Sequence, residues 1–308
     1  RIQPRWDGRY LPPQPAQPAA ATADKSSPTT AERIATVAAV TGIATAMGSA
    51  REQLADMARQ TSEARALILA LLLAPDTRLV HDQQLSMILE SGDSSLYRNV
   101  LRTLPRLAHL QPQQRLLLVE QSLPALKQMS EPQYRQFNQL VVRLAKADGQ
   151  IDLFEWCLYR LLLQYLAPHF DAVTPVQARY SKPEDIRQPL QTLLSWFAHY
   201  GHDATPEGAR AAADAFAKAL PNGAFNSLGL QLEARQNHLA SLNKAIAELQ
   251  QAYPHLKARI IKTLVACARA DGEIREVELN LIRTLAALLE SPVPPAMLEI
   301  LASNPPHG

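Results

Sequence analysis

The sequence predicts an all-α protein, and three observations carry that prediction. Ala, Leu, Gln, Arg and Glu, all good helix formers, dominate the 308 residues, while glycine numbers only 11. Apolar residues recur at spacings of three and four, and no convincing strand pattern appears after Thr30. A nine-residue pattern also occurs twice. Ala147-Asp148-Gly149-Gln150-Ile151-Asp152-Leu153-Phe154-Glu155 and Ala270-Asp271-Gly272-Glu273-Ile274-Arg275-Glu276-Val277-Glu278 share Ala-Asp-Gly-x-Ile-x-x-x-Glu. They stand 123 residues apart, and the same gapless offset pairs Leu116 with Leu239, Leu126 with Leu249, Val142 with Val265 and Leu162 with Leu285. Residues 113–165 and 236–288 therefore read as two copies of one helical unit, and such a repeat sets the architecture before any site is considered.

The elements follow in order. Residues 1–30 are rich in Pro, Ala, Thr and Ser and carry little bulky apolar content, so they read as an extended linker. Helices are expected over Ala31–Ala46 and Arg51–Arg59, then from Ser62 to a stop at Pro75. Arg78–Glu90 and Ser95–Leu104 follow, separated by Gly92-Asp93, with Pro105 closing the second. Gln113–Met129 should be helical and kinked at Pro124. Glu131-Pro132 opens the helix that enters the first motif, where a proline costs nothing. Pro168–Pro183 reads as irregular, Asp185–Tyr200 and Pro206–Leu220 as helices, and Pro221-Asn222-Gly223 as a turn. Leu228–Ala252 is expected to be one long helix, followed by Pro254–Ala270 and Glu276–Glu290. The implied organisation is a linker (1–30), a helical N-terminal region (31–110), the first unit (111–167), connecting helices (168–235) and the second unit (236–303).

Each motif falls where one helical period ends and another begins, so it forms a helix–turn–helix corner. Gly149 and Gly272 suit the left-handed position that ends a helix, and Ile151 and Ile274 can fill the angle. Glu155 lies three residues after Asp152, the spacing of a capping box, whereas Arg275 in the second copy is a poor cap. The acids common to both copies are Asp148 with Glu155 and Asp271 with Glu278. They can accept hydrogen bonds from free backbone N–H groups at the corner, or gather around a divalent cation, since hard cations prefer oxygen ligands. A calcium loop needs acids at alternate positions through a longer loop, so capping is the preferred reading and Asp148, Glu155, Asp271 and Glu278 stand as the candidate metal ligands.

Thirty-one basic residues nearly balance 29 acidic ones, which argues against nucleic acid as a partner. Two cysteines without a CxxC indicate no disulfide scaffold. The chain begins at Arg1 without a leader pattern and reads as a fragment or processed product. The strongest apolar run, Ala66–Ala74, is about half of what a bilayer requires, so no membrane span is expected. His199-x-x-His202-Asp203 could offer two imidazoles and a carboxylate, but a helix end also favours histidine as a simple cap. Cys267 aligns with Leu144 and reads as a small buried apolar residue. Neither a Gly-x-Ser-x-Gly elbow nor a phosphate-binding glycine loop occurs.

The run Leu144-Ala145-Lys146-Ala147-Asp148-Gly149-Gln150-Ile151-Asp152-Leu153-Phe154-Glu155-Trp156 resembles the TerB-like tellurite-resistance domain, a small all-helical module. Similar Ala-Asp-Gly corners occur in membrane-anchored DnaJ-like cochaperones. The start, Arg1-Ile-Gln-Pro-Arg-Trp-Asp-Gly-Arg-Tyr, resembles the sequence that follows the peptidase domain in bacterial HtpX-type membrane zinc metallopeptidases. The helix Ala64–Leu73 is similar to the cytosolic tail of that group. Its zinc motif is His-Glu-x-x-His, and none of the eight histidines here is followed by Glu, so no catalytic residue carries over. The resemblance implies a non-catalytic regulatory or partner-binding region on the cytoplasmic side of the bacterial inner membrane. It also implies a protein partner, no cofactor in this chain, and zinc held by a membrane-embedded peptidase domain upstream. The alternatives are a divalent-metal-sensing TerB-like module and a stand-alone cochaperone-like scaffold.

Overall fold

The computed structural model describes residues 52–73, 77–108, 110, 112–149, 151–235, 239–272 and 274–292. The linker, the helix expected over Ala31–Ala46 and the residues after 292 lie outside that set. The fold is all-α, as expected. The helices are α1 (described over 52–58), α2 (Thr61–Leu71), α3 (Arg78–Leu89), α4 (Ser94–Leu107), α5 (Pro112–Leu126), α6 (Glu131–Ala145) and α7 (Leu153–Phe170). After them come α8 (Arg187–Tyr200), α9 (Pro206–Ala219), α10 (Leu239–Leu249), α11 (Pro254–Ala268) and α12 (Glu276–Leu288). Among the described residues the nearest approach to a sheet is one isolated bridge between Tyr180 and Ala252.

Two expectations about prolines fail in the same way. Pro105 does not close its helix, and Pro168 does not begin the irregular stretch. Pro105, Pro124 and Pro168 lie inside α4, α5 and α7, and each of these helices ends two residues later, at Leu107, Leu126 and Phe170. A proline forfeits its own N–H bond to the carbonyl four residues back. In the last turn that single lost bond is tolerated, because only two helical residues follow and little of the helix is left to disturb.

The described chain divides between Leu144 and Ala145 into two compact units. In the unit before that point α2 is the centre, buried from Ala64 to Leu71, with α4 and α5 packed on it. Each leucine or isoleucine so buried contributes about 1.5–3 kcal/mol. The one charge in that buried stretch, Arg65, meets the Asp93 carboxylate at 3.3 Å. Asp93 also caps α4, accepting the Leu96 N–H at 2.9 Å. Gln84 of α3 donates to the carbonyls of Leu72 and Leu144, each at 3.0 Å, and so closes the end of α2.

In the unit from Ala145 onward α8 is the centre, buried over Thr192–Tyr200 and packed on α9, α10 and α11. Trp196 Nε1 of α8 and Trp156 Nε1 of α7 both reach α10, donating to Ser241 Oγ and Asn243 Oδ1 at 3.1 Å each. Arg259 of α11 donates to the carbonyls of Gly223 and Ala224 at 2.7 and 2.8 Å, tying down the turn expected at Pro221-Asn222-Gly223.

The duplication is visible helix by helix. α6 and α11 begin and end at residues related by 123, as do the ends of α5 and α10 and the starts of α7 and α12. α7 packs against α12, with Cys157 Sγ 4.0 Å from the Asn280 carbonyl oxygen, and these two residues occupy the same position of the two copies. Gln164 reaches Glu290 towards the other ends, so the two helices run in the same sense. At Cys157 and Asn280 like positions therefore meet, as across a two-fold axis.

The long helix expected over Leu228–Ala252 is a correction. Gly229 is left-handed, residues 230–235 form no helix, and α10 starts at Leu239 and ends at Leu249. Leu228, Leu230 and Leu232 alternate with Gly229, Gln231 and Glu233, a period of two that a helix cannot use.

Candidate functional site

The two corners are built alike. Gly149 and Gly272 have φ of +75° and +92°, a conformation that strains any residue bearing a Cβ. Their N–H groups donate to the Lys146 and Arg269 carbonyls at 3.1 and 3.2 Å, tightening the end of each incoming helix. Asp152 and Arg275 then hold the extended N-cap conformation before α7 and α12.

The candidate acids divide into two kinds. Glu155 and Glu278 reach back to the N-cap backbone: Asp152 N donates to Glu155 Oε2 at 3.0 Å, and Arg275 N donates to Glu278 Oε2 at 2.9 Å. In the first copy Asp152 Oδ1 accepts the Glu155 N–H at 2.7 Å, which completes a capping box. In the second copy arginine offers donors alone, so that half of the box is missing. Its guanidinium instead lies 3.7 Å from Asp271. Asp148 and Asp271 are exposed at the outside of the corners. Among the described residues no three His, Cys, Asp or Glu side chains gather as a metal site requires.

Burial gives the two inner acids unusual proton affinity. It pushes the Glu155 carboxyl up to about 9, with Asp152 and Asp148 adding to the effect and the Asp152 N–H opposing it. Glu278 rises to about 7, again chiefly by burial, with the Arg275 N–H and guanidinium opposing and Asp271 adding. Glu278 is 4 % exposed and lies directly over Gly201 at the end of α8, where an added Cβ would come 2.3 Å from Oε1. Both thiols are pushed up to about 12 by burial, so neither Cys157 nor Cys267 provides a thiolate near neutrality.

The pair His199 and His202 does not form a ligand set. His199 Nε2 donates to the Glu233 carbonyl at 2.8 Å, and His202 Nδ1 donates to the Ala198 carbonyl at 2.9 Å. Burial holds the His199 imidazole below its ordinary value.

The sequence reading missed a further arrangement, the polar face of α8 and the irregular residues 229–235 along it. Arg187 Nη2 donates to the Gly229 carbonyl at 3.2 Å, Gln231 N donates to Gln191 Oε1 at 3.0 Å, and Glu233 N donates to Ser195 Oγ at 2.9 Å. His199 takes the Glu233 carbonyl, and Arg235 Nη1 donates to the His202 carbonyl at 3.1 Å. The Glu233 carboxylate accepts at one oxygen from Gln188, Gln191 and Thr192, at 3.0, 3.2 and 3.1 Å. Four helical residues rise about 6 Å and two extended residues about 6.6 Å, so steps of four on α8 stay in register with steps of two on the strap. The missed signal was a polar stripe, Arg187, Gln191, Ser195 and His199, flanked by Gln188 and Thr192, on a helix whose other faces are apolar.

No helix among the described residues is long and apolar enough to cross a membrane. No curated protein and no solved structure shows a significant match to the chain. Residues 190–294, about a third of the chain, do match the family model of tellurite resistance protein TerB, a span that takes in nearly all of α8 and the whole of α9–α12, so this part of the chain is similar to that family.

Proposed function

We infer that this chain is a non-catalytic, partner-binding helical region built on TerB-like units. Its context, in this reading, is regulatory: it serves a membrane-bound zinc metalloendopeptidase whose active site lies upstream, on the cytoplasmic side of the bacterial inner membrane. The observation that carries the non-catalytic part is how the reactive groups are used. The inner corner acids bond to backbone N–H groups, the thiols are buried, and the imidazoles of His199 and His202 donate to backbone carbonyls. The TerB match supports the TerB-like units, and the resemblance of the Trp6-Asp7-Gly8 start supports the context. Reading the open frame upstream of Arg1 tests it: a His-Glu-x-x-His within an apolar region is expected, and a frame without one overturns the peptidase assignment. Purified chain should cleave casein no faster than buffer, and zinc-dependent, chelator-sensitive cleavage would overturn the non-catalytic reading.

A further inference from the structure

We propose that the polar face of α8 is a binding site for an extended peptide segment bearing a carboxylate, which the chain's own residues 229–235 occupy in cis. This deepens the partner-binding reading above and rests on it. The contacts are of two kinds. Arg187, Gln191, Ser195 and His199 read main-chain atoms of the strap, at Gly229 O, Gln231 N, Glu233 N and Glu233 O. Main-chain contacts of this kind accept many sequences. The second kind is a single slot, in which Gln188, Gln191 and Thr192 converge on Glu233 Oε1. Three neutral donors on one oxygen favour a carboxylate over an amide or an apolar group. Backbone bonds for affinity and one side-chain pocket for selection are the general logic of extended-peptide recognition.

The strap can leave without opening the core. Its one buried side chain is Leu230; Gly229, Gln231 and Ala234 are exposed, and Leu232, Glu233 and Arg235 are half-buried. What it covers on α8 is polar, so water replaces its bonds when it lifts, at a net cost of about 0.5–1.5 kcal/mol for each. The apolar residues of α8, among them Leu190, Leu193, Leu194, Trp196 and Phe197, are buried away from that stripe. Gly229, at φ +59°, is a ready pivot at the strap's first residue.

A labelled peptide of residues 228–236, Leu-Gly-Leu-Gln-Leu-Glu-Ala-Arg-Gln, tests the proposal by fluorescence anisotropy with the full chain. Bound peptide must compete with the strap, so apparent affinity falls with the fraction of open chain. Leu230→Ser with Glu233→Ala weakens the strap and should raise apparent affinity about tenfold or more over the unchanged chain. A peptide with Gln in place of the glutamate should bind that variant several-fold more weakly, and adding Gln188→Ala and Thr192→Val should remove the difference. No binding to the folded strap variant, or binding indifferent to the α8 substitutions, would overturn the proposal. If the strap variant fails to fold, hydrogen exchange of the unchanged chain decides. Gln231 and Glu233 amides should exchange well ahead of the α8 core, and exchange at the rate of global unfolding would overturn the proposal. None of these outcomes depends on what lies upstream of Arg1.

Discussion

Glu278→Gln isolates the cost of holding a carboxylate under the end of α8. In the folded chain Glu278 keeps its proton until about pH 7, against an ordinary value of 4.5, chiefly because it is buried. The unfolded chain surrenders that proton near 4.5. Between those values the folded state binds more protons, so stability falls as pH rises from about 4.5 to about 7 and the loss is constant above that. At about 1.36 kcal/mol for each tenfold change in proton affinity, the full loss is roughly 3 kcal/mol. Glutamine keeps an oxygen to accept the Arg275 N–H at the 2.9 Å position and carries no charge. The variant should match the unchanged chain near pH 4.5 and exceed it by about 2–3 kcal/mol at pH 8. That is a rise in Tm on the order of 5–10 °C for a unit of this size. Urea titrations of both proteins at half-unit pH steps measure the difference directly, and other titrating groups cancel in it. A difference that does not grow with pH, or a variant less stable at pH 8, would refute the assignment of burial as the dominant cause.

The other predictions concern the same corners. Asp152→Ala removes half of the capping box and should cost roughly 0.5–2 kcal/mol in denaturant titrations. Arg275→Ser should supply the missing half in the second copy and raise stability by up to about 1 kcal/mol, since the exposed pair with Asp271 that it removes is worth little. Calcium, magnesium or zinc should leave Tm unchanged. Were the acids ligands, ion at about a hundred times its dissociation constant would add about 2.7 kcal/mol, lost in Asp148→Ala or Asp271→Ala. Gly201→Ala should destabilise by about 1–3 kcal/mol, because its Cβ meets the Glu278 carboxyl; an unchanged midpoint would place that carboxyl elsewhere.

The fold class and the repeat were legible because they rest on short-range rules. Helical spacing marked Phe137, Leu140, Val141 and Leu144, and glycine marked the left-handed positions at 149 and 272. The corner acids were found for the same reason, since a capping box spans three residues. The strap was not legible, because its partners stand about forty residues back: Gln231 pairs with Gln191 and Glu233 with Ser195. Residues 228–235 contain good helix formers, and propensity yielded to tertiary bonding. The depth of Glu278 was also hidden. Its burial comes from Gly201, a glycine whose small size matters only once α8 and α12 meet.

The pairing of α7 with α12 has an evolutionary consequence. Two separate subunits related by a true two-fold axis carry identical side chains at the axis, so every substitution there happens twice and must be compatible with itself. Here the two sides belong to one chain, and position 157 is cysteine while its counterpart, 280, is asparagine. Within a single chain this axis is free of the self-complementarity that two identical subunits impose. Each half can then differ on its own, and Arg275, the counterpart of Asp152, shows the same freedom five residues earlier.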